Sequence, residues 1–251
     1  MQVSKDHPRY RSLLVREMMS EMVREGIVAP TGLIAHGRGE AFDYLIGEVT
    51  TENATRAERA AAALLLSATH PVISVNGNAA ALCAEDLVRL ANEVGARIEV
   101  NLFHRTEERV DRIVAFMEKA GGTEVLGRKP DAILPGIASD RAKCTSQGIF
   151  SADVVLVPLE DGDRTEALVK AGKKVIVVDL NPLSRSAKAS TIAIVDEVTR
   201  AIPKMVESAR RLRANDLNMS SVPAFDNAAN LEEALEHICL RLQRLASEGK
   251  A

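Results

Sequence analysis

Residues 32–43 read GLIAHGRGEAFD, which sets His36 and Arg38 beside Gly37 and Gly39. Glycine lets a backbone turn sharply or approach a ligand closely, so an imidazole and a guanidinium presented there suit an anion. A plain tight turn fits the same string. Two further stretches mix hydroxyl and basic residues in a way that matches phosphate oxygens: LNPLSRSAKAS, with Ser184, Arg185, Ser186 and Lys188, and ASDRAKCTSQG, with Ser139, Asp140, Arg141 and Lys143. Asp179 and Asp196 each end an apolar run, where a carboxylate can accept from ribose hydroxyls or hold Mg²⁺. Either one alone reads first as the cap of the turn or helix that follows, and only the set of polar strand exits together favours a site.

These residues need a scaffold, and the pattern around them supplies one. HPRYRSLLVREMMSEMVREGIV has helical spacing of apolar residues and Gly26 as a stop, and NATRAERAAAALLLSA is a second helix. From His70 onward, β-branched runs (VISV, RIEV, VVLVP, VIVVD, TIAIVD) alternate with amphipathic stretches such as AEDLVRLANEVG and EERVDRIVAFMEKAG, a pattern that predicts a parallel sheet flanked by helices. In such a sheet, ligands bind beyond the carboxyl ends of the strands. The residues there are unusually polar: Asn76 and Asn78, then Asn101 to Arg105 with His104, then Asp161 and Asp163, then Asp179 and Asn181, then Asp196 and Glu197. The expected fold is α/β, a Rossmann-like parallel sheet with an N-terminal helical segment and a C-terminal helix. One domain over residues 1–251 is expected: an N-terminal helix and anion-binding turn (1–50), an α/β core (51–214), then a linker and last helix (215–251).

Composition narrows the classes. The 251 residues are 46% hydrophobic with a net charge of −3, and there is no Trp and only five Phe and two Tyr. That balance speaks against a polyanion groove built on stacked aromatics, so no nucleic-acid partner is expected. Cys83, Cys144 and Cys239 and the five histidines lack metal-ligand spacing, so no protein metal centre is expected. No apolar run approaches the roughly 20 residues of a membrane helix, and MQVSKDHPRYRS has no signal core; the expected address is cytoplasmic. Nucleotide fingerprints fail too. GGTEVLGRK places Arg128 where a Walker A loop needs Lys, and GRGEAF places Phe42 where the dinucleotide motif needs Gly or Ala.

Taken together, HPRYRSLLVRE, GLIAHGRGEAFDYLIGE, NGNAAAL, NLFHRTEER, ASDRAKC, ADVVLVPLEDGDRTEAL and DLNPLSRSA give the chain a resemblance to the archaeal 4-phosphopantoate–β-alanine ligases, or phosphopantothenate synthetases. The resemblance implies an amide-forming ligase of coenzyme A biosynthesis that joins 4-phosphopantoate to β-alanine, turns ATP into AMP and diphosphate, and works as a homodimer; the expected acyl-adenylate chemistry adds Mg²⁺ on the departing diphosphate. It implies ATP contacts from Arg16, Arg38, Asp179, Leu180, Asn181, Arg185, Ser186, Glu197 and Val198. Asn76, Asn78, Arg105, Arg141 and Lys143 are then candidates for the acid substrate, His36 and His104 for acid–base work, and Asp161 or Asp163 for Mg²⁺ or the amine. The rival readings are an ATP-sensing module without turnover and a kinase acting on pantoate.

Overall fold

The β-branched runs Pro71–Val75 (β1), Arg97–Val100 (β2), Val154–Pro158 (β5), Lys174–Val178 (β6) and Ile192–Ile194 (β7) form one sheet of order β2-β1-β5-β6-β7, and every neighbouring pair in it is parallel. The computed structural model describes residues 6–7, 9–159, 162–214 and 225–249. Helices connect the strands: Gly77–Val94 (α4) follows β1, Glu107–Lys119 (α5) follows β2, Gly162–Lys170 (α6) follows β5, and the short Arg185–Ala189 (α7) follows β6. Ahead of the sheet come Tyr10–Arg24 (α1), Pro30–Ile46 (α2) and Glu52–Leu66 (α3); behind it come Val198–Ala214 (α8) and Asn227–Ser247 (α9). Between α5 and β5 lies a small antiparallel pair, Ala132–Ile133 (β3) with Lys143–Cys144 (β4), which periodicity did not reveal because each strand is two residues long.

Successive side chains on a strand point to opposite faces, and here they sort into two cores. Ile73, Val75, Leu156, Ile176, Val178 and Ile194 pack with buried residues of α1, α3, α4, α5 and α8. Val72, Val155, Val157, Val175, Val177 and Ala193 pack on the other side with Leu168 of α6, Ala187 of α7 and Leu231, Ala234 and Ile238 of α9. Being covered on both faces explains why these strands read as continuous apolar runs. The outer strand β7 exposes backbone groups along its far edge, and α9 closes it: Asn227 Oδ1 accepts from Ala193 N (2.8 Å), and Asn230 Nδ2 donates to Ala193 O (2.8 Å).

Two sequence expectations need correction. The HGRG stretch is helical, inside α2, and not a turn. Pro30 at the first helical position, which pre-sets φ for a helix start, was the signal for it, and Gly47 (φ +107°) ends the helix. The last helix also begins earlier than its apolar pattern, at Asn227, with the Asp226 carboxylate accepting from Ala229 N. Residues 215–224 of the expected linker lie outside the described residues.

Candidate active site

At the carboxyl edge of the sheet a cleft of about 780 Å³ is lined by the exits of the strands, by α2 lying across them, and by Arg11, Ser12 and Val15 of α1. At the β6 exit, Asp179 accepts from Ser184 Oγ (2.5 Å) and from Asn181 N (3.0 Å), and Ser184 Oγ in turn accepts from Ala187 N (2.9 Å) at the start of α7. Asn181 Oδ1 accepts from Leu183 N. These local bonds set the DLNPLSRS loop as a rigid rim. Burial pushes the Asp179 carboxyl above its ordinary range, against the two hydrogen bonds and the nearby Arg38, which hold it down. Arg38 itself projects from α2 into the cleft and makes no hydrogen bond or ion pair among the described residues. A guanidinium whose donors are open beside a polar rim can seat an anion.

The structure gathers His36, Arg38, Asp179, Leu180, Asn181, Arg185, Ser186, Glu197 and Val198 around the one cleft, with Asn76, Asn78, His104 and Arg141. Several of these side chains are already engaged. Asn76 caps α4 through Ala79 N and donates to Leu159 O, Asn78 donates to Gly32 O, and Glu197 accepts from Thr199 N and Oγ1. Arg185 is gripped by two acids of α6, Asp163 (2.6 Å) and Glu166 (3.0 Å). Asp163, tied to Arg185, stays outside the lining, as does Arg16, which is paired with Glu40 (2.7 Å). Arg105 and Lys143 also lie away from the cleft: Arg105 donates to Gly127 O (2.6 Å) and Lys143 pairs with Asp140 (2.8 Å). Asp161 lies outside the described residues.

Asp196 has a different task from the ribose or metal role open to it in sequence. It is buried and held by Arg200 (2.6 Å) and Thr50 Oγ1 (2.5 Å), and Arg200 also grips Asp43 of α2 through both guanidinium arms (2.6 and 2.9 Å). Glu58 of α3, 1% exposed, hydrogen-bonds to the same Asp196; burial, reinforced by that neighbouring charge, raises its carboxyl to about 8. This cluster fastens α2, and with it Arg38, to α3, α8 and the β7 exit.

Sequence reasoning missed Arg109 and Arg200. Arg109 is in the charged first half of α5, EERVDR, where an arginine reads as part of a solvated helix face, as Arg112 paired with Glu108 in fact is. Only the chain crossing brings it inward: its Nε and Nη2 donate to Ile27 O, its Nη1 to His104 O, and it lies against Gly77, where a Cβ would come 2.2 Å from Ile27 O. Among the described residues no group of three or more His, Cys, Asp or Glu side chains converges as a metal site, and no helix is long and apolar enough to cross a membrane.

A family model of phosphopantothenate/pantothenate synthetases matches residues 53–241. The chain is 54% identical to a 4-phosphopantoate–β-alanine ligase of Thermococcus kodakarensis, over 98% of this chain and 96% of that protein. It is also 54% identical to the enzyme of that name from Methanosarcina mazei (97% and 96%), and 50% identical to that from Thermococcus onnurineus (99% and 97%).

Proposed function

The chain belongs to the phosphopantothenate/pantothenate synthetase family, and from that premise we propose that it condenses 4-phosphopantoate with β-alanine at the expense of ATP, releasing AMP and diphosphate. The observation that carries this reading is Arg38, an unpaired cation opposite the Asp179–Ser186 rim in a single cleft large enough for two substrates. In this reading Asp179 and Asn181 hold the ribose side of the nucleotide, while Arg38 and Ser186 face its phosphates, as Arg185 does on release from α6. The acid's carboxylate attacks the α-phosphorus, diphosphate leaves, and the neutral amine of β-alanine then attacks the acyl carbon and displaces AMP. His36 and His104 border the cleft as candidates to take the amine proton.

Mg²⁺ would travel on the phosphate oxygens and neutralise their charge, with Asp179 or Glu197 adding at most one ligand, since those carboxylates stand singly at separate strand exits. A homodimer belongs to the same proposal. Leu33, Ile34 and Tyr44 leave an apolar stretch of α2 in the open, Ile34 being 74% exposed, and light scattering at the mass of two chains is the expected result.

One incubation tests the reaction. With ATP, phosphopantoate and β-alanine together, AMP and diphosphate should appear in step with the amide, and labelled diphosphate should exchange into ATP when phosphopantoate alone is present. ADP as the sole nucleotide product would make the protein a kinase. ATP binding with no acid-dependent product would make it a sensor.

A further inference from the structure

Arg200 of α8 ties α2 to the β7 exit, and all three of its guanidinium nitrogens are engaged. Nη1 and Nη2 donate to the two oxygens of Asp43 (2.9 and 2.6 Å), while Nε and Nη2 donate to Asp196 Oδ1 (2.9 and 2.6 Å). The side chains of Arg200, Asp43 and Asp196 are 14%, 11% and 0% exposed, so this is not a surface pair weakened by water and salt. Each end of the tie leads to a residue assigned to the nucleotide in the reading above. Asp196 Oδ1 also accepts from Glu197 N (2.8 Å), which fixes the start of the Glu197–Val198 pair. On α2, Asp43 comes five residues after Arg38, about 140° round the helix and ~7.5 Å along it. A two-point fork on Asp43 therefore sets the rotation of α2 about its axis, and with it the direction in which Arg38 points. The first turn of α2 is held by a single bond, from Asn78 Nδ2 to Gly32 O (2.8 Å), about which the helix can still roll. A side chain ~5–6 Å from the axis swings by about 2 Å when a helix turns by about 20°, enough to break an N–H···O bond.

We propose that Arg200 is a positioning residue for the nucleotide: through Asp43 and Asp196 it holds Arg38 in register with Glu197 and Val198 across the cleft, without itself binding ATP. The inference rests on the ligase reading above for the placement of ATP between those residues. Arg200 borders the cleft, but with its nitrogens given to two carboxylates it serves as a tie and leaves the seating of an anion to Arg38.

Calorimetric titration of ATP into the whole protein would give Kd for the parent, Asp43→Asn, Arg200→Lys, Arg38→Ala and the double variant Arg38→Ala with Asp43→Asn, each also melted to read its stability. Asp43→Asn keeps the shape and leaves Arg200 paired with Asp196; it should weaken ATP by about five- to tenfold. Arg200→Lys keeps the charge, but an ammonium cannot fork across two carboxylates, and a similar loss is expected. In the Arg38→Ala background, Asp43→Asn should change Kd by less than about twofold, because the contact it positions is already gone. A purely structural role lowers the melting temperature and leaves the ATP Kd of Asp43→Asn at the parent's value, which overturns the proposal. A fully additive loss in the double variant overturns it too, as does an Arg38→Ala variant that binds ATP like the parent. Should Arg200→Lys not fold, the Asp43 and Arg38 cycle decides alone. The ligase reading is judged separately, on whether the parent forms AMP: a parent that does so while Asp43→Asn binds ATP normally loses only the positioning role of Arg200.

Discussion

Arg38 and Arg185 show how little a residue type says until its neighbours are known. Both are arginines in polar strings, yet Arg185 is clasped by Asp163 and Glu166 while Arg38 has no ion pair. Binding an anion at Arg185 must first break a charge-assisted fork; binding at Arg38 breaks nothing. Arg38→Ala should therefore weaken ATP by about 10- to 100-fold, with Arg38→Lys in between, because the ammonium keeps the charge and loses the planar pair of donors. Calorimetric titration of ATP into each variant reads this directly, and an Ala variant that binds like the parent would remove Arg38 from the nucleotide site. Arg105 and Arg109 teach the same lesson over four residues. Arg105 turns to Gly127 O and Arg109 turns to Ile27 O in the connection between α1 and α2, and nothing in NLFHRTEER distinguishes the two directions.

Among elements, the decisive contact is the one that holds α2 over the strand exits. Asp43 of α2, Arg200 of α8, Asp196 after β7 and Glu58 of α3 form a buried cluster, so four segments far apart in sequence share one set of charges. Glu58 keeps its proton in the folded protein up to about pH 8, whereas in the unfolded chain it ionises near 4.5. Its contribution is thus fully present below the unfolded value and is lost as pH rises through that window, at a slope approaching about 1.4 kcal/mol per pH unit. Glu58→Gln removes the titration and keeps the shape. Urea midpoints measured from pH 5 to pH 9 should fall less steeply for the variant than for the parent, leaving the variant the more stable of the two at pH 9. Parallel curves would mean that Glu58 does not change charge in this range. The glycines of HGRG belong to this scale as well: they sit in a helix because Pro30 starts it and because Phe42, Leu45 and Ile46 anchor its far end in the core, which outweighs the cost of glycine in a helix.

Among the described residues, β1, β5, β6 and β7 each contribute side chains to both cores, and α9 is tied to the β7 edge through Asn227 and Asn230, so the two layers of helices share one sheet. We propose on that basis that residues 1–251 behave as one domain; a single calorimetric transition with equal van't Hoff and calorimetric enthalpies is expected, and two resolved transitions would divide the chain. The strands are legible in the residues alone, because runs such as VVLVP and KVIVV are apolar on both faces and fit the middle of a covered sheet. The polar strand exits are legible in the same way, since a loop leaving such a strand must face water or ligand. Tertiary structure alone decided which charges remain available in the cleft. Asp196 and Asp179 look alike as acids ending apolar runs, but Arg200 and Thr50 bury the first while the second stays on the rim. An arginine's long side chain can reach an acid, a carbonyl or open space, and which of these lies within reach is fixed by chain crossings that leave no local trace in the residues beside it.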